Sequence, residues 1–76
     1  MLTPTPDSKR LGKRIRVARH VAGLSLDEVS LRTGLNKGHL SRIEHGVIVN
    51  LPVSTLKRIA KAIRILPMAL MDDRAA

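Results

Sequence analysis

The chain has 76 residues, with 14 Lys plus Arg against 6 Asp plus Glu and a formal net charge of +8. A chain this short holds one small domain and buries only roughly 60% of the surface its unfolded form exposes, which excludes a deep catalytic cleft and a second sensing domain. It has no cysteine for a disulfide or thiolate site, no Phe, Tyr or Trp on which unpaired bases could stack, and no apolar run near the roughly 20 residues that cross a bilayer. Met1 to Lys13 also lacks the apolar stretch of a secretory signal. The expectation is a cytoplasmic protein with no membrane, metal or cofactor chemistry and an anionic partner.

Residues 1–7, with Pro4 and Pro6 among threonines, read as a flexible N-terminal arm, 8–72 as the folded domain and 73–76 as a tail. Asp7 or Ser8 is placed to cap a first helix, in which Leu11, Ile15, Ala18 and Ala22 recur at steps of four, three and four and so form one stripe. Gly23 ends it. Ser25 and Glu28 spell a capping box at the head of a second helix with Leu26, Val29 and Ser30 inward, and Gly34 stops that helix. Asn36 caps a third, from about Lys37 to His45, which ends at Gly46. Pro52 suits the first turn of a fourth helix, with Val53, Leu56, Ile59, Ala60 and Ile63 inward and Lys57, Arg58, Lys61 and Arg64 opposite. Pro67 starts a short fifth helix carrying Met68, Leu70 and Met71. No segment alternates like a strand, so the predicted fold class is all-α.

The joint of Gly34, Leu35 and Asn36 is short enough to fix the crossing angle of the helices on either side. Leu35 is expected to plug it, with Val29, Leu40 and Ile43 as packing partners. These positions, together with the small residue Ser30 and the run Gly38-His39-Leu40-Ser41-Arg42-Ile43-Glu44-His45-Gly46, resemble the Cro and phage-repressor type (XRE) helix-turn-helix family. The resemblance spans about Leu11 to Met71. It implies a compact five-helix, lambda-repressor-like DNA-binding domain, in which Leu26, Val29, Ser30, Gly34, Leu35, Leu40 and Ile43 form the motif. It also implies a structural pair between Arg19, late in the first helix, and Glu44, at the end of the third.

Counting about 100° per residue from Lys37, the positions Gly38, Ser41, Arg42 and His45 fall within roughly 140° of it, opposite Leu40 and Ile43. This polar face is expected to enter a major groove. Lys37 and Arg42 donate to guanine O6 and N7, and Gly38 permits close backbone approach. Asn36, His39 and Ser41 are expected at base edges or backbone. By resemblance, phosphates fall to Arg14, Arg19, Ser25, His45 and the amides around Leu26. Leu26 departs from the family, where relatives commonly place Gln, and so do Val47, Ile48 and Val49, where relatives continue with basic residues.

Val47, Ile48, Val49, Leu66 and Leu70 read as a homodimer interface. The basic run from Lys9 to Arg19 supplies attraction, mostly without sequence information. Enzymatic activity is not expected, because the histidines are not at ligand spacing and there is no glycine-rich phosphate loop. The predicted function is a transcriptional regulator, of the kind found among small stand-alone repressors and restriction-modification controller proteins, that binds a pseudo-palindromic operator in double-stranded DNA. RNA polymerase is a possible protein partner. The alternative is an antitoxin-like interaction module whose partner is a toxin.

Overall fold

The computed structural model describes residues 6–71, and among them the only regular elements are helices: α1 (Pro6–Val21), α2 (Leu26–Thr33), α3 (Lys37–Glu44), α4 (Val53–Ala62) and α5 (Pro67–Met71). The all-α, five-helix expectation holds. Residues 1–5 of the expected arm and 73–76 of the expected tail lie outside the described residues. Pro6 and Asp7, however, belong to α1 rather than to an arm. Proline is tolerated in a first turn because its missing N–H would have no partner there, and Asp7 offsets the helix dipole while lying 3.7 Å from Arg10.

One core joins all five helices. Ile15 of α1, Val29 of α2, Leu40 and Ile43 of α3, Leu56, Ile59, Ala60 and Ala62 of α4, Ile63 just after it and Leu70 of α5 are buried together. Full burial of an aliphatic side chain contributes about 1.5 to 3 kcal/mol each. Leu11, Ala18, Leu26, Leu35, Ile48 and Leu51 pack at the edge of this cluster.

Three expectations need correction. Ala22 is exposed, because α1 ends at Val21 and the stripe stops one turn short of it. Pro52 is the N-cap of α4 rather than a first-turn residue: its ψ of 139° is extended, and its carbonyl accepts the first helical bond from Leu56 N at 3.0 Å. That start leaves Val53 54% exposed. Arg64 lies beyond the end of α4, with a φ of +58°, instead of on its outer face.

Two close approaches set α1 against α3. A Cβ on Gly12 would lie 2.6 Å from the Glu44 carbonyl oxygen and nearer still to that of Ile43. At the end of α3, Gly46 has a φ of +77° and sits against the Lys9 backbone, where a Cβ would lie 2.7 Å from Lys9 Cα. Ser8 Oγ donates to the Gly46 carbonyl at 2.8 Å, which satisfies that buried acceptor.

Candidate nucleic-acid interface

The joint between α2 and α3 is held by local chemistry. Ser25 Oγ accepts from Glu28 N at 3.1 Å and Glu28 Oε1 accepts from Ser25 N at 3.2 Å, so the capping box is complete. At the other end of α2, Gly34 takes the left-handed φ of +76° and its N–H donates to the Ser30 carbonyl at 2.8 Å. Asn36 Oδ1 then accepts from Gly38 N at 2.7 Å and from His39 N at 3.4 Å, capping α3 as expected. The Ser30 hydroxyl donates to the Leu35 carbonyl across the turn.

Thr33 belongs to no motif that the sequence displays. It is buried, its hydroxyl donates to the Val29 carbonyl at 2.7 Å, and it accepts from Leu35 N at 3.1 Å. One hydroxyl thus closes the last turn of α2 and satisfies the first free amide of the turn. The sequence signal was only a threonine directly before the helix-ending glycine, which many helices carry without this role.

With that joint set, α3 buries Leu40 and Ile43 and exposes Lys37, Gly38, Arg42 and His45, while His39 and Ser41 are half-buried at its margins. The predicted polar face is therefore present on one side of the helix. Lys37 Nζ lies 3.2 Å from Asp27 Oδ1 in an exposed ion pair, which tethers the head of α3 to the first turn of α2. His45 caps the C-terminus of α3, and its Nδ1 is 2.7 Å from the Ser41 carbonyl. A carbonyl only accepts, so Nδ1 carries the proton in this contact.

Arg19 and Glu44 meet as expected. Nε is 2.7 Å from Glu44 Oε2 and Nη2 is 3.0 Å from Oε1, a two-point contact, while Nη1 donates to the Leu24 carbonyl at 2.9 Å. Their side chains are only 10% and 5% exposed. The bond to Glu44 raises the Arg19 pKa above its ordinary value against the opposing effect of burial. Each guanidinium nitrogen makes one of these contacts inside the fold, so the phosphate contact also expected of Arg19 falls to the second N–H groups of Nη1 and Nη2.

The other expected backbone contacts divide. Ser25 is exposed at the head of α2, whereas Leu26 turns partly into the core, so only its backbone amide faces that end. Arg14 is half-buried and Nη1 donates to the Leu70 carbonyl at 3.3 Å, which joins α1 to α5. Of the expected dimer residues, Leu70 is 1% exposed and belongs to the core of the single chain, a correction to its place on an outer surface. Ile48 and Val49 are half-buried, with Ile48 against the core, while Val47 and Leu66 are exposed.

The family model of the helix-turn-helix domain matches residues 12–73. The chain is 32% identical over 62 residues to the HTH-type transcriptional regulator SlrR of Bacillus subtilis, a match that covers 82% of this chain and 41% of SlrR, so the chain spans less than half the length of that relative. Among solved structures it superimposes on the restriction-modification controller protein C.AhdI from Aeromonas hydrophila with a TM-score of 0.81 and 27% identity, covering 87% of this chain and 98% of that one. It is similar as well to the Bacillus subtilis master regulator for biofilm formation SinR in its complex with DNA, with a TM-score of 0.77, 29% identity and coverage of 82% and 98%. The family match begins at the glycine where α1 meets α3 and runs past the end of α5, so it takes in the whole core, and the chain belongs to the helix-turn-helix domain family.

Proposed function

We propose that the chain is a sequence-specific transcriptional regulator that binds double-stranded DNA, acting as a homodimer on a pseudo-palindromic operator and, in its simplest mode, as a repressor that occupies the site against polymerase. The observation that carries this reading is the exposed polar face of α3, locked in orientation by a capped and hydroxyl-braced turn. A major groove of B-DNA admits one α-helix and presents guanine O6 and N7 to a cationic side chain. Lys37 and Arg42 read bases, Gly38 lets the backbone approach, and Asn36, His39 and Ser41 contact base edges or backbone. Ser25, the amides at the head of α2 and the exposed His45 at the end of α3 contact phosphates.

The Lys37 pair with Asp27 is compatible with this role. Exposed ion pairs contribute about 0 to 1 kcal/mol, so Lys37 exchanges its partner for a guanine at small cost. Support also comes from relatives: SlrR is a transcriptional regulator, and SinR has been solved on DNA.

The test is selection of bound sequences from a random duplex library, followed by Arg42→Ala measured on the enriched site and on random DNA. A two-fold symmetric consensus is expected, with a loss of about 1 to 3 kcal/mol on that site and relaxed preference at one base position. Equal losses on both DNAs would remove Arg42 from the base-reading set, and failure to enrich any motif would overturn the reading.

A further inference from the structure

On the side of the molecule built by α2 and α4, Arg32, Thr33, Arg58, Lys61 and Ala62 line an open cleft of about 500 Å³. None of these residues belongs to α3. Arg32 Nη1 donates to the Ala62 carbonyl at 3.1 Å, so its guanidinium is held across the ends of the two helices instead of extending freely into solvent. Arg58 and Lys61 stand three apart on α4 and so share one face of it.

Three cations are thus gathered at one cleft, and among the described residues no carboxylate neutralises them. Asp7 pairs with Arg10, Asp27 with Lys37 and Glu44 with Arg19, while Glu28 closes the α2 capping box. The opposing local charge comes from the carbonyl ends of α2 and α4, each equivalent to roughly half an elementary charge. Those two ends offset only about one of the three positive charges. A net charge of about +2 remains at a concave surface, which suits a ligand carrying at least two negative charges. The volume lies in the roughly 300 to 1,000 Å³ range of small-molecule sites, and guanidinium groups match phosphoryl oxygens in pairs.

We propose that this cleft binds a multi-phosphate anion, at a site separate from the polar face of α3 and independent of the DNA-reading role assigned to that face. Such an anion bridges α2 and α4 through Arg32, Arg58 and Lys61. Its phosphates come either from a free polyphosphate or from a nucleic-acid backbone lying across this side of the molecule, and the experiment separates the two.

The full chain, labelled with ¹⁵N, is titrated with inorganic tripolyphosphate and, in a second arm, with a random-sequence DNA duplex, each followed by residue-resolved NMR. Saturable shifts are expected at Arg32, Thr33, Lys61 and Ala62 with tripolyphosphate, while Lys37 to His45 stay in place. Shifts at the cleft with the duplex and none with tripolyphosphate would assign the phosphates to a nucleic-acid backbone and still support the site. Joint replacement Arg58→Glu and Lys61→Glu is expected to weaken anion binding at least tenfold, whereas Lys13→Glu with Arg16→Glu, of equal net charge and on α1 away from the cleft, leaves it within twofold. Thermal unfolding checks that both variants fold, and Arg58→Gln with Lys61→Gln serves if the charge-reversed cleft does not. Equal losses for the two pairs, or shifts spread evenly over the basic residues of α1 and α3, would overturn the proposal, as would no shift at the cleft in either arm.

Discussion

The two-point contact between Arg19 and Glu44 joins α1 to α3, and its burial decides what its loss would cost. Two charges held within 2.7 Å with 10% and 5% of their side chains exposed depend on each other, because removing either leaves the other desolvated and unpaired, at about 3 to 5 kcal/mol. Arg19→Ala and Glu44→Ala are each expected to destabilise the domain by about 3 kcal/mol in urea unfolding. The double variant should be less destabilised than the sum of the two, by up to about 3 kcal/mol of coupling. Since the folded Arg19 pKa is raised, its contribution is fully present at every pH below its ordinary value and is lost only as pH rises above it. Stability should therefore show no pH dependence from Arg19 near neutrality. Gly12 acts beside it by absence. Gly12→Ala drives a methyl against the Ile43 and Glu44 carbonyls, and because backbone oxygens cannot rotate aside, about 1 to 3 kcal/mol of destabilisation is expected despite alanine's better helix propensity.

Among the helices, features set by near neighbours were legible and those set by distant contacts were not. Ser25 with Glu28, Gly34 and Asn36 work within a few positions of themselves, so the ends of α2 and the start of α3 could be read from spacing alone. The polar face of α3 follows from the same periodicity. Ser8 and Arg32 serve acceptors 38 and 30 positions away, and Gly12 matters only because α3 lies on top of it. No local pattern announces such partners. Periodicity also overreached at helix ends: Ala22 and Arg64 continue the phase of α1 and α4, but the backbone has already turned at both. Leu70 shows the same limit from the other side, since an apolar residue in a short final helix can cover either its own core or a partner, and here it fills the core. Thr33 tests how much the turn between α2 and α3 depends on a single hydroxyl. Thr33→Val keeps the shape but leaves Leu35 N–H without its acceptor at 3.1 Å, for about 1 to 3 kcal/mol. If the turn sets the direction of α3, operator affinity should fall further than the change in stability alone accounts for. A variant equally stable and equally tight would show that the hydroxyl is dispensable.

Across the whole molecule, the proposed function divides the charge between base reading and general attraction. The carboxylates of the described residues are engaged within the fold or close to their own helix, so most of the excess positive charge faces outward. A dimer covering roughly 6 to 10 phosphates should bind with a slope of log affinity against log salt of roughly −5 to −9. The apolar surface bears on whether there is a dimer at all. With Leu70 and much of Ile48 inside the fold, the expected interface reduces to Val47, the half-buried Val49 and Leu66, and Leu66, at 75% exposed, has Met68 at 76% beside it at the start of α5. Leu66 lies in no helix and is no part of the core, so Leu66→Glu should leave the unfolding midpoint nearly unchanged at concentrations low enough for the parent to be monomeric. If α5 and the residues before it join two copies, the variant should sediment as a monomer at concentrations where the parent is dimeric. It should also lose affinity for a two-half-site operator while keeping that for a single half-site. A parent that is dimeric and a variant that remains so would place the interface elsewhere, with Leu31 on α2 and Val21 on α1 as the next exposed apolar residues to replace.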